Sequence, residues 1–133
     1  MVLVVLVGST LAGVAFAAVV STDAGTPARA YLDLRAAAER ATTPDSLFPL
    51  LSANYRRVLS GLPRTERDDW LGRFKRTPPA QVKVQAQALA SDRCTLGVVA
   101  RDATHVKWSG RVEMILEGGS WKLADETWTT ERH

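Results

Sequence analysis

The sequence predicts an α+β fold, in which about three N-terminal helices pack on a curved four-stranded antiparallel sheet after an apolar signal or anchor helix. Three observations support this prediction. Apolar residues recur at helical spacing between about residues 26 and 76. After Pro79 they alternate with polar residues, which is typical of half-buried strands. The first twenty residues carry no charged side chain.

The uncharged N-terminal segment is long enough to cross a bilayer as a helix. It also contains a small-x-small cleavage motif, Ala15-Phe16-Ala17, which predicts signal cleavage between Ala17 and Ala18. No Lys or Arg precedes the segment, although signal peptides usually begin with one. A cleaved signal and a retained anchor therefore both remain open for residues 1–25. In either case residues 26–133 are expected to form an exported domain, periplasmic, extracellular or anchored outside the cell membrane.

The predicted first helix begins at Thr26-Pro27, because Thr is a favoured N-cap and Pro suits the first helical position. Its buried stripe comprises Ala30, Tyr31, Leu34, Ala37, Ala38 and Ala41. A short second helix is predicted from about Asp45, with Pro49 preventing one long helix and Ser52 capping a further turn. Thr65 and Asp68 predict a capping-box start for a third helix.

Four strands are predicted in the second half of the chain. The first alternates Val82, Val84, Ala86, Ala88 and Ala90 with polar residues, and the second places Cys94 on its apolar face. The third has its apolar residues at Val106, Trp108, Gly110, Val112, Met114 and Leu116. Trp128 has the opposite parity to Trp121 in the last strand, which predicts a bulge near Ala124-Asp125. Short turns predict an antiparallel meander covered on one face by the helices.

Composition excludes several classes of protein. One cysteine excludes an internal disulfide framework and a Cys-rich zinc site, and two histidines leave little for a His-based metal centre. No phosphate-binding glycine loop or paired-carboxylate motif is present. Acidic residues are interleaved with the basic ones of residues 64–76, and the net charge is only +3. We therefore expect no metal, no cofactor and no nucleic-acid partner.

The chain resembles the nuclear transport factor 2-like superfamily of cystatin-like, cone-shaped α+β domains. The similarity lies in the opening helix, in a leaf-like second helix with its following tyrosine, and in the final strand pair. These stretches are Thr26-Pro27 to Ala38, Leu47 to Ser52 with Tyr55-Arg56, and Gly118 to Leu123 with Glu126 and Trp128. The resemblance implies a cone whose open end binds small molecules. It also implies dimerisation through the exposed sheet face, and the superfamily includes both enzymes and binding modules.

Five aromatic residues fall on predicted inward faces: Tyr31, Tyr55, Trp70, Trp108 and Trp121. Aromatic side chains of this kind fill a core, or they line an apolar pocket for a small apolar molecule. We predict them as pocket-lining residues. The exposed face of the third strand carries Arg111, Glu113 and Ile115, which are predicted to form a homodimer surface or to contact an envelope protein.

No residue matches a catalytic position of the superfamily, so the expected function is non-catalytic. We expect an exported or membrane-anchored domain that binds a small ligand or a protein. An isomerase, dehydratase or hydrolase that uses the cone pocket is the first alternative. An accessory subunit of an envelope secretion or transport complex is the second.

Overall fold

The computed structural model describes residues 20–131. The predicted cleavage point at Ala17 and Ala18, and the apolar segment up to residue 19, lie outside the described residues. Within residues 20–131, no helix has both the length and the apolar character that crossing a membrane requires.

The described chain confirms the predicted α+β class, with all helices preceding all strands. The strands form one antiparallel sheet in the order β1-β2-β3-β4, the predicted meander. The helical elements are α1 (Pro27–Arg40), a 3₁₀ helix (Pro44–Leu50), α2 (Ala53–Ser60) and α3 (Arg64–Arg76). The strands are β1 (Lys83–Ala90), β2 (Arg93–Arg101), β3 (Lys107–Glu117) and β4 (Ser120–Glu131).

The helix boundaries confirm one predicted cap and correct another. The Thr26 hydroxyl accepts a hydrogen bond from the Arg29 amide at 3.2 Å, so Thr26 caps α1 as expected. The third helix was predicted to begin at a Thr65 capping box, and this is wrong. Helix α3 begins one residue earlier, after Pro63, and no side chain caps it.

The predicted second helix is divided into the 3₁₀ helix and α2. Leu51 and Ser52 between them are extended, and Leu51 forms a parallel bridge with Leu123 at the outer edge of β4. The Ser52 amide donates to the Leu123 carbonyl at 2.8 Å, while its side chain caps α2 as predicted. Backbone pairing with the sheet therefore interrupts the helix at this point.

Strand β4 contains the predicted bulge. Asp125 pairs with Glu113 and Leu123 pairs with Met114, so Ala124 is the extra residue. Side chains alternate between the two faces of a strand, and one extra residue reverses that alternation. The bulge therefore places Glu126 on the same face as Leu123, toward the helices.

A second bulge, in β1, corrects the predicted alternation of that strand. Val84 pairs with Val98 but Ala86 pairs with Gly97, so Gln85 is the extra residue. Beyond it, Gln87 and Leu89 lie on the helix-facing side, whereas Ala86, Ala88 and Ala90 lie on the outer side. The run of alanines had suggested the reverse.

The helix-facing surface of the sheet is built from three cross-strand rows that the register defines. They are Leu89–Cys94–Met114–Leu123, Gln87–Leu96–Val112–Glu126 and Val84–Val98–Gly110–Trp128. Helix α1 covers this surface, and its Ala28, Tyr31, Leu34 and Ala38 are fully buried. The buried carboxylate of the middle row is the feature that the helices must accommodate.

Candidate functional site

A buried cluster of three polar side chains joins α1 to β4. Tyr31 and Arg35 are one helical turn apart and so lie on the same side of α1, and the β4 bulge directs Glu126 toward them. The Arg35 guanidinium and the Glu126 carboxylate form an ion pair of 2.7 Å, with side chains only 12% and 6% exposed. The Tyr31 hydroxyl donates a short hydrogen bond to the same carboxylate oxygen. We call these three residues the interior network.

Arg35 uses four of the five N–H groups that a guanidinium offers. Its Nε donates to the Tyr31 hydroxyl at 3.1 Å, and its Nη1 donates to the Phe74 carbonyl at 2.7 Å. Its Nη2 donates to the Thr77 carbonyl at 2.6 Å and to Glu126 at 2.7 Å. The hydrogen bonds of this one arginine therefore connect α1 to the end of α3 and to β4.

Aromatic rings enclose the interior network. The Arg35 guanidinium stacks on Phe74, 4.4 Å from its ring centre, at a distance typical of cation–π contacts. Phe74 stacks in turn on Trp70 at 5.3 Å, and Trp70 meets Tyr55 edge-on at 5.8 Å. The Trp70 indole N–H donates to the Tyr55 hydroxyl at 3.0 Å. These aromatic residues, which we call the aromatic wall, therefore lie beside the network on the α3 side.

The enclosure changes the titration of the buried groups. Burial, reinforced by the negative charge of Glu126, raises the pKa of Tyr31 above its ordinary value. Burial alone would lower the pKa of Arg35, but the charge interactions and hydrogen bonds with Glu126 and Tyr31 together outweigh it, and the net shift of the pKa is upward. Burial also raises the pKa of Tyr55. The network is therefore a neutral tyrosine beside a charged pair.

Three of the five aromatic residues predicted to line a pocket are brought together by the fold. Tyr31 belongs to the interior network, and Tyr55 and Trp70 belong to its aromatic wall. Trp121 is half-buried and packs against the core elsewhere. Trp108 lies at the start of β3, where its indole N–H donates to Asp102 at 3.1 Å. A hydrogen bond from the Thr104 hydroxyl, and then the one from Trp108, lower the pKa of Asp102 to about 2.

A cavity of about 380 Å³ lies along another side of α1, between this helix, the end of α3 and residues 78–82, and it shares Arg35 with the interior network. We call it the α1 groove. Its walls carry the apolar residues Leu32, Ala36, Ala38, Pro78, Ala80 and Val82, and its charged residues are Arg29, Arg35, Glu39, Arg40 and Lys75. None of the five predicted aromatic residues lines it. Their assignment to a ligand pocket stays a prediction.

A neighbouring cavity of about 370 Å³ lies near the edge of β1 and shares Gln81 with the α1 groove. Its charged lining residues, Lys83, Arg101 and Lys107, are all basic. Lys107 pairs loosely with Glu131 at 3.8 Å. This part of the surface is therefore positively charged across two adjoining depressions.

The predicted dimer surface lies on the outer side of the sheet, as the sequence placed it. Arg111 donates to Glu113 at 2.9 Å, and the Thr95 hydroxyl donates to the same carboxylate at 3.1 Å. Ile115 is half-buried on this side. The arginine is already paired within the chain, and the surface's role in self-association stays a prediction.

Cys94 is buried on the helix-facing side of β2, as predicted. Burial, with a contribution from the Glu113 charge, raises the pKa of its thiol to about 12. Within residues 20–131, no group of three or more His, Cys, Asp or Glu residues is placed to hold a metal ion.

Sequence reasoning missed the interior network because Arg35 and Glu126 look like ordinary surface charges in the sequence. The bulge did provide a signal, since the reversed parity that moves Trp128 inward also moves Glu126 inward. The α1 groove had no comparable signal. One of its walls, residues 78–82, begins with the pair Pro78-Pro79 and belongs to no regular element.

No protein-family model matches the chain, and no curated protein is significantly similar to it. Among solved structures, the chain is similar to an NTF2-like protein of unknown function from Shewanella baltica OS155. The two share 9% sequence identity and superpose with a TM-score of 0.48 over 79% of this chain and 94% of the other.

Proposed function

We propose that this protein is a non-catalytic domain, exported or membrane-anchored through residues 1–25, that binds a small ligand at its surface. The observation that supports this proposal is the saturation of the interior network. Glu126 accepts from both Tyr31 and Arg35, and the Tyr31 hydroxyl both donates and accepts. The polar groups of the interior network are engaged with one another.

General acid–base catalysis needs a side chain that reaches a substrate within hydrogen-bond distance. Glu126 is the only carboxylate among the described residues in the interior network, and its side chain is 6% exposed. Tyr31 is 0% exposed. A substrate would have to displace protein contacts on Arg35 before it reached either group. The network is thus better suited to joining α1 to β4 than to chemistry.

The α1 groove has the opposite character and supports the binding half of the proposal. Its volume falls in the range of about 300–1,000 Å³ that small-molecule sites occupy. It combines apolar walls with a few charged groups, which is the usual composition of such sites. Within residues 20–131, Arg40 and Lys75 form no ion pair. These charges remain available to a ligand.

A small-molecule isomerase, dehydratase or hydrolase is the second candidate. One observation favours it: the Trp128 indole nitrogen, on the same sheet face as Glu126, is buried without a hydrogen-bond partner. An unpaired buried donor is costly and often marks a functional position. In this alternative, a substrate oxygen accepts from Trp128 while Glu126 acts as the acid or base.

Native mass spectrometry of the full chain, purified without denaturant, tests the proposal. We expect a non-covalent small-molecule adduct whose mass stays constant during incubation. A mass beginning at Ala18 would identify a cleaved signal, and a full-length mass would identify a retained anchor. An adduct that is converted during incubation would overturn the non-catalytic assignment. Absence of any adduct, with a protein partner bound instead, would overturn small-ligand binding.

A further inference from the structure

The α1 groove contains hydrogen-bond donors that the protein does not use. Arg35 lines the groove, and the one N–H that its four hydrogen bonds leave free belongs to Nη1. This guanidinium cannot turn to find another partner, because carbonyls of Phe74 and Thr77 and the Glu126 carboxylate fix its plane. The free N–H therefore belongs to a guanidinium of fixed orientation that lines the groove.

Two further cations line the groove close to one another at the end of α1. Lys75 donates one of its three N–H groups to the Ala41 carbonyl, the residue that follows Arg40. That bond satisfies a carbonyl of the helix C-terminus and leaves two N–H groups on the ammonium. Arg40 forms no side-chain hydrogen bond among those described for residues 20–131. The groove thus offers donors from three cationic side chains.

The remaining charges of the groove set the sign of the ligand's charge. Arg29 lies near the start of α1 and is paired with Asp33 at 3.5 Å, so its charge is partly compensated. Glu39 also lines the groove and lowers its positive potential. Arg35, Lys75 and Arg40 still outnumber this carboxylate, so the groove favours a negatively charged group.

The apolar part of the groove determines the rest of the ligand. Leu32 and Ala36 form one wall from successive turns of α1, and Pro78 and Val82 lie on the other. These walls exclude water only when an apolar group lies between them, which favours a ligand with an apolar body. We propose that the α1 groove binds a small carboxylate with an apolar body. This inference rests on the proposed function and names its ligand class.

The test is isothermal titration calorimetry of the full chain in a neutral detergent. The probes are 4-phenylbutyrate, the neutral 4-phenylbutanol of the same shape, and inorganic phosphate. We expect 4-phenylbutyrate to bind about tenfold or more tightly than the alcohol, because hydrogen bonds to a charged acceptor are the stronger ones. Phosphate is expected not to compete. Equal binding of acid and alcohol, tighter binding of phosphate, or binding of none of the probes would overturn the inference.

Two variants locate the site. Lys75→Gln removes one groove cation and is expected to weaken 4-phenylbutyrate binding by about tenfold. Ala36→Phe fills the groove from an exposed helical position, leaves every charge in place and is expected to abolish binding. Arg73→Gln is the matched control, because Arg73 is an exposed cation on α3 that does not line the groove. Unchanged affinity in Lys75→Gln and Ala36→Phe would contradict the assignment.

The outcomes separate this inference from the proposed function. If the native adduct persists in Ala36→Phe, the protein still binds a small ligand but not in the α1 groove. If the adduct is lost in Ala36→Phe but 4-phenylbutyrate does not bind the wild type, the site is correct and the carboxylate class is wrong. If the adduct is chemically converted, the non-catalytic assignment fails while the groove measurements still stand.

Discussion

The two sides of α1 carry similar residues but use them differently. On the inner side, Arg35 pairs with a buried carboxylate and donates four hydrogen bonds to groups of the protein. On the outer side, Arg40 and Lys75 line an open groove without a carboxylate partner in the described chain. A cation paired with a buried carboxylate maintains the fold, whereas a cation without a carboxylate partner remains available to a ligand. The following predictions test that distinction.

The largest effect is expected from breaking the interior ion pair. Glu126→Gln leaves the buried Arg35 charge uncompensated, which typically costs about 3–5 kcal/mol of unfolding free energy. On the groove side, Arg29→Gln removes an exposed pair and should cost less than about 1 kcal/mol. Urea denaturation of both variants measures the difference. Similar losses in the two variants would contradict the contrast between the two sides.

A double variant separates the buried charge from the packing around it. Arg35→Met combined with Glu126→Leu replaces the pair by apolar residues, and such replacements are often neutral or stabilising. We expect it to recover much of the stability that Glu126→Gln loses. A double variant less stable than Glu126→Gln would show that Arg35 acts mainly through its bonds to the Phe74 and Thr77 carbonyls.

The next largest loss of stability is expected from a substitution at Gly110, which packs against Trp128 on the helix-facing side of the sheet. A Cβ atom at Gly110 would lie 2.7 Å from the Trp128 ring and 2.9 Å from the Thr127 carbonyl oxygen. Gly110→Ala should therefore destabilise the protein by about 1–3 kcal/mol, as overpacking usually does. Gly97→Ala is the control, since its Cβ would lie 3.3 Å from that of Ala86. Thermal unfolding should show a clearly smaller loss for Gly97→Ala.

The raised pKa of Tyr31 predicts a pH dependence at the alkaline end. Above the ordinary tyrosine pKa of 10.0, the unfolded chain loses a proton that folded Tyr31 retains. The unfolding free energy should then fall as the pH rises above about 10, and should be unaffected by this group below that pH. In Tyr31→Phe the decline should be shallower, with Tyr55 and Cys94, whose pKa values are also raised, contributing to the remainder. An identical decline in wild type and variant would exclude Tyr31 as its source.

The smallest loss of stability is expected from removing the N-cap of α1. Thr26→Ala removes the N-cap of the helix and should cost about 1 kcal/mol of unfolding free energy. It should leave 4-phenylbutyrate affinity unchanged, because Thr26 does not line the groove and its hydroxyl bonds only to backbone groups, the Asp23 carbonyl and the Arg29 amide. Thr22→Ala, an exposed neighbour without a cap role, should have no measurable effect in either experiment.

Much of the fold could be predicted from the sequence, because periodicity reports burial directly. The Thr26 cap, the four-stranded meander and the bulge near Ala124 all followed from local patterns. The β1 bulge did not, since alanine suits either face of a sheet and the pattern around Gln85 was uninformative. Propensity also gave no sign of the backbone pairing that interrupts the helix at Leu51.

The candidate site was harder to predict than the fold. Tyr31 could be assigned to the interior from helical spacing alone. Arg35 and Glu126 could not, because a charged residue is buried only when its partner is also known, and this partner is 91 residues away. The α1 groove depends on where residues 78–82 pass over α1, which no periodic pattern specifies.

The two bulges also have a consequence for the open edges of the sheet. An unpaired strand presents a row of backbone groups that another chain can extend, and this is a common start of aggregation. Here each edge strand is interrupted, β1 at Gln85 and β4 at Ala124, and the β4 edge is further occupied by Leu51 and Ser52. A foreign strand therefore meets no long regular ladder on either edge, so the same irregularities that orient the interior also protect the protein from edge-to-edge association.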